Sequence, residues 1–145
     1  MSRVLLSLLL SLAFVFHATA AYDPTASGSR LVGKLAGANM NSTADQAIPI
    51  RFDGSKYVPL RIYVTNASTS LTLAAGGIYT ATSKGGTAIV AAGQVYSALT
   101  SSSKTLQTTI AVTDTRTEST LYLSLTTAQG SAATADVYVF ADVLP

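Results

Sequence analysis

The chain has 145 residues, one domain's worth, with no Cys, no Trp, a single His, 11% charged residues and a formal net charge of +2. Without Cys there is no disulfide framework, no thiol nucleophile and no Cys-based zinc site. The few cations are spread along the sequence, and no clustered excess of Lys and Arg points to a nucleic-acid partner.

Residues 1–20 have the form of a secretory signal peptide. Arg3 precedes an apolar run from Val4 to Phe16, and Ala18-Thr19-Ala20 supplies a small-x-small exit before Ala21. The run is shorter than the ~20 apolar residues that span a bilayer, so no transmembrane anchor is expected in the mature chain. Cleavage after Ala20 removes His17 and leaves neither His nor Cys in residues 21–145. Imidazole nucleophiles, His-bound metals and His-held haem are then excluded as well, and no metal or cofactor is expected. The localisation this implies is secreted or extracellular.

Residues 21–46 read as an N-terminal arm that includes a short helix. Leu31, Leu35 and Ala38 recur at i, i+4 and i+7, although Gly33 and Gly37 each weaken a helix by roughly 1 kcal/mol relative to Ala. Gly33-x-x-x-Gly37 matches a membrane helix-packing motif only by accident, given its neighbours Arg30, Lys34 and Asn39.

Residues 47–145 read as a β-sandwich domain with a period of two. Ile48 and Ile50 alternate with Pro49 and Arg51; Leu60, Ile62 and Val64 alternate with Arg61, Tyr63 and Thr65. The pattern returns at Leu106, Thr108, Ile110 and Val112, at Leu121, Leu123 and Leu125, and at Val137, Val139 and Ala141. The last two segments carry large residues on both faces and are expected to lie centrally. Turn clusters separate the strands at residues 53–55, 66–70, 83–86, 101–103, 114–117 and 129–131. With 19 Thr and 14 Ser but only four Lys and four Arg after residue 20, exposed positions suit strands better than helices. The fold class is therefore all-β, an antiparallel β-sandwich or jelly-roll-like barrel of seven or eight short strands. Residues 74–81 resemble residues 91–98 (small-small-Gly-x-aliphatic-Tyr-hydroxyl-Ala), and read as two neighbouring strands that each start at a Gly bend.

No catalytic residue is expected. Asp114 and Glu118 are the closest carboxyl pair, but Arg116 between them makes local charge balance the better reading than acid-base or calcium chemistry. Ser101-Ser102-Ser103-Lys104 reads as a polar hairpin tip, and Lys84-Gly85-Gly86-Thr87 as a turn that lacks the spacing of a phosphate loop. Asn41-Ser42-Thr43 and Asn66-Ala67-Ser68 are glycosylation sequons of common composition. The most suggestive feature is seven tyrosines beside two phenylalanines in residues 21–145. Tyrosine is an ordinary strand residue, yet its apolar body and polar tip also suit protein interfaces and sugar-binding faces. Tyr63, Tyr79, Tyr96, Tyr122 and Tyr138 are the candidate interface residues.

Several phrases resemble a group of uncharacterised bacteriophage and prophage proteins, chiefly of alphaproteobacteria. They are residues 37–50, Val64 to Leu71, Ala75 to Ala81 running into Lys84-Gly85-Gly86-Thr87, and Leu121 to Thr126. The resemblance covers most of residues 31–143 and carries no assigned chemistry. It implies a small non-enzymatic virion subunit, a capsid decoration or tail accessory protein, whose partners are other protein subunits in a homo-oligomer or a capsid or tail assembly. A virion subunit needs no signal peptide, so residues 1–20 support an alternative: a secreted bacterial surface or carbohydrate-binding β-sandwich module.

Overall fold

A computed structural model describes residues 28–145. The expected signal peptide, and the arm as far as residue 27, lie outside the described residues. Eight strands follow in order: β1 (Arg30–Asn39), β2 (Gln46–Pro49), β3 (Lys56–Thr65), β4 (Ala75–Tyr79), β5 (Ala88–Val90), β6 (Thr105–Gln107), β7 (Thr120–Thr127) and β8 (Thr134–Leu144). They form two antiparallel sheets, sheet I in the order β1-β8-β3-β6 and sheet II in the order β2-β7-β4-β5. The first strand pairs with the last, the second with the seventh, the third with the sixth and the fourth with the fifth. A long hairpin rolled up in this way is the jelly-roll connectivity.

The inward positions of both sheets meet in one core. Ile48, Ile62, Val64, Ile78, Leu121, Leu123, Leu125, Val137 and Val139 have no solvent exposure. Each such side chain contributes roughly 1.5–3 kcal/mol from burial, which is how a chain with so few ion pairs holds together. The two segments with large residues on both faces, β7 and β8, are central strands as expected.

The expected helix around Leu31, Leu35 and Ala38 is not formed: these residues belong to β1, so the sandwich begins at Arg30 and not at residue 47. Two irregularities in the pairing with β8, between Leu31 and Gly33 and between Leu35 and Ala38, break the period of two. Each disturbs the alternation, and the helical spacing of Leu31, Leu35 and Ala38 marks no single face, since Leu31 is exposed whereas Ala38 is buried. Both glycines have strand-specific reasons. At Gly33 a Cβ would lie 2.5 Å from Ile50 Cδ1 and 3.2 Å from the Pro49 carbonyl oxygen. Gly37 occupies the second irregularity with φ of 63°, a left-handed conformation that costs glycine little.

Both long edges of the sandwich are closed by the chain itself. On one side Arg51 N–H donates to the Val32 carbonyl (2.7 Å), and Gly33 bridges to Ile50. Farther along, the Gln46 side chain accepts from Asn39 N–H and donates to the Asn39 carbonyl. On the other side the segment after β6 turns the corner between sheets. Thr108 N–H donates to Ile62 of sheet I, and Ala111 N–H donates to Ile89 of sheet II. The single strand expected over Leu106 to Val112 is thus divided between the two sheets.

Of the two similar octapeptides only the first is a strand, β4. Residues 91–98 form a loop laid beside its start, through the Ala75–Val95 bridge and the bonds Gly76 N–H to Gln94 O and Tyr96 N–H to Ala74 O. Gly77 sits where the β5 backbone passes so closely that a Cβ would collide with the Val90 carbonyl oxygen, whereas Gly93 has open space around it. Gly77→Ala is therefore expected to lower stability by about 1–3 kcal/mol in urea denaturation. Gly93→Ala is expected to stay within about 0.5 kcal/mol of the parent.

Candidate interaction surface

The five candidate tyrosines do not form one site. Tyr96 has no solvent exposure, and its hydroxyl donates to the Gly76 carbonyl at 3.1 Å; burial pushes its phenol well above the usual range. Tyr79 is 5% exposed and lies against Gly77. These two are packing residues, which corrects their assignment to an interface. Tyr122 is half-buried on the outer face of sheet II, in register with Ala47 and Tyr79.

Tyr63 and Tyr138 are brought together. Each alternates with core residues, so each points outward from sheet I, and they face each other across β3 and β8. Phe140, two residues along β8, joins them: its ring centroid is 5.7 Å from that of Tyr63, with the planes at 79°. Lys34 on β1 is in register with Tyr138 and holds its ammonium 5.1 Å from that ring's centroid. Leu31 pairs with Phe140 and is 51% exposed; Leu60, in the β3 irregularity, is 43% exposed. The outer face of sheet I thus carries a band of three rings with two open leucines beside it, framed by Lys34 and Arg61. Sequence reasoning missed Phe140, Leu31, Leu60 and Lys34. The signal available was the outward position of Phe140 between Val139 and Ala141; Leu31 was hidden by the irregular β1.

At the β1 end of this band the surface is hollowed. One depression of about 340 Å³ is lined by Arg30, Leu31, Val32, Arg51, Phe52, Asp53 and Val143. A second, of about 330 Å³, shares Leu31, Val32 and Arg51 and adds Gly33, Lys34 and Pro49. Arg30 pairs with Asp53 at 3.3 Å.

The charged turn residues weighed in the sequence have structural roles. Arg116 Nη2 meets Asp114 at 2.7 Å, Nη1 reaches Glu118 at 3.9 Å and donates to Thr87 Oγ1 at 3.2 Å. Asp114 and Glu118 therefore share one largely buried arginine, which employs both carboxylates structurally. Residues 80–87 form a turn, with Ser83 and Lys84 both at positive φ (56° and 58°) and Ser83 N–H donating to Asp45. Among the described residues no group of three or more His, Cys, Asp or Glu gathers as a metal site, and no helix is long and apolar enough to cross a membrane.

No family model matches the chain, and no curated protein or solved structure is significantly similar to it.

Two partly exposed carboxylates act as local clamps. Asp136 is held below the ordinary carboxylate value by the Asn66 side-chain amide (2.9 Å) and the Gly37 N–H (2.8 Å), which it accepts across β8, β1 and the turn after β3. Asp45 is held low chiefly by the Ser83 N–H. A carboxylate whose folded value lies below 3.8 adds stability above that pH and loses it as pH falls through the folded value. Melting temperature is accordingly expected to drop on acidification below pH 3.8, and Asp136→Asn to reduce that drop while lowering the melting temperature at pH 7.

Proposed function

We propose that this protein is a non-enzymatic structural subunit that attaches to other protein subunits of a larger assembly, in the manner of a phage-derived capsid decoration or tail accessory protein. The observation that carries this reading is the band of half-buried rings Tyr63, Tyr138 and Phe140, with the exposed Leu31 and Leu60 beside it, on the outer face of sheet I. Aromatic residues on an otherwise hydroxyl-rich surface are what protein interfaces concentrate. A surface of Thr and Ser with little charge also limits repulsion between neighbouring subunits. Jelly rolls serve capsids and lectins alike, so the fold by itself does not choose between assembly and sugar binding. The rings favour assembly: Lys34 occupies a face of Tyr138, and Tyr63 stands edge-on to Phe140, so no flat open pair is offered to a sugar ring.

The test is a Tyr63→Ser/Tyr138→Ser double variant. Both side chains are half-exposed, so the fold is expected to survive, as judged by melting temperature. Self-association in sedimentation velocity, or recovery with purified phage particles, is expected to weaken about tenfold or more. Unchanged association by both measures would overturn the reading.

A further inference from the structure

We propose that the paired hollow at the β1 edge receives an acidic peptide segment with an apolar centre, contributed by the partner subunit. The inference rests on the assembly reading above and names the chemistry of the partner at that surface. Residues 28–145 contain only eight Lys and Arg, yet Arg30, Lys34 and Arg51 line this one place. The rim has one carboxylate, Asp53, and Arg30 already holds it at 3.3 Å. Among the described residues neither Lys34 nor Arg51 lies within ion-pair distance of a carboxylate; Lys34 rests on the Tyr138 ring, with Asp136 near enough to feel its charge. In a chain this poor in charge, Arg51 without an ion-pair partner, and Lys34 only partly compensated by Asp136, match anionic groups supplied from outside the hollow.

The floor narrows the class further. Leu31 is half exposed, and Val32, Phe52, Pro49 and Val143 surround it with apolar surface. A polyuronate would set hydroxyls against that floor and leave Leu31 poorly covered. A peptide with Leu-like residues between carboxylates covers it and reaches the rim with charge. Backbone pairing contributes little here, because the outer edge of β1 at residues 32–34 is already joined to residues 49–51. Side-chain chemistry therefore governs recognition, and binding falls with salt.

The experiment measures fluorescence anisotropy of a labelled Glu-Glu-Leu-Leu-Glu-Glu peptide titrated with the full chain. A Gln-Gln-Leu-Leu-Gln-Gln peptide is the neutral control, and an alginate oligomer is the competitor. The acidic peptide is expected to bind and the neutral one to bind more weakly. Arg51→Gln and Lys34→Gln are each expected to weaken binding about threefold. Leu31→Ser is expected to weaken it as well. These side chains are exposed or half-exposed at the rim, and melting curves verify the fold. Equal binding of the two peptides, insensitivity to Arg51→Gln and Leu31→Ser, or binding of alginate in place of the peptide would each overturn the proposal. The Tyr63→Ser/Tyr138→Ser variant separates the two claims. If it loses association while the peptide fails to bind, only the hollow is misassigned; if the peptide binds and association is unaffected by the variant, only the assembly reading falls.

Discussion

At one edge of the sandwich Arg51 N–H donates to Val32 O at 2.7 Å, and at the other Ala111 N–H donates to Ile89 O at 2.8 Å. Between them these bonds join the two sheets along both sides. An antiparallel sandwich left open would present rows of unpaired N–H and C=O groups that recruit further strands. Here the chain satisfies those groups itself. Gly33 eases the first closure, because a Cβ there would press on the Ile50 side chain and crowd the Pro49 carbonyl. The second closure needs a segment that leaves sheet I at Thr108 and reaches sheet II by Ile110.

Edge closure determines what the molecule can offer a partner. With the sheets joined at several points along their edges, the faces and loops offer the broader surfaces for contact. The outer face of sheet II places Tyr122 beside Tyr79, which is nearly covered. The outer face of sheet I gathers three half-buried rings and two exposed leucines, on strands whose other side is fixed by a fully buried core. β8 lies between β1 and β3, so its aromatic residues are held by pairing on both flanks. Such a surface is ordered before a partner arrives, which reduces the entropy lost on binding.

Strands with clean alternation were legible in the sequence. β7 and β8 put aliphatic residues at every second position and were recognisable as central from large residues on both faces, whereas in β3 only Ile62 and Val64 keep the expected face and Leu60 is turned out by the irregularity. β1 was not legible, because its two irregularities break the strand period, and Leu31, Leu35 and Ala38 fall at helical spacing without sharing a face. β4 and β5 are short and Gly-bounded, and the corner after β6 depends on pairing with Ile62 and Ile89, far away in sequence. The tyrosines divide along the same line. Tyr63 and Tyr138 sit in regular strands, where the period fixes an outward direction. Tyr96 sits in a loop whose burial is decided by contact with Gly76, and nothing local in the sequence encodes that. The cationic hollow escaped notice because Arg30 and Lys34 on one strand meet Arg51 from another only through the Gly33–Ile50 bridge.

The central claim, that the outer face of sheet I is where this protein joins an assembly, is tested most directly by hydroxyl-radical footprinting. The chain would be compared free in solution and as recovered in its native assembly, with oxidation of individual aromatic residues read by mass spectrometry. The account predicts that Tyr63, Tyr138 and Phe140 become protected in the assembly while Tyr122 keeps its reactivity. Protection confined to Tyr122, or no change at any of the four, would contradict it.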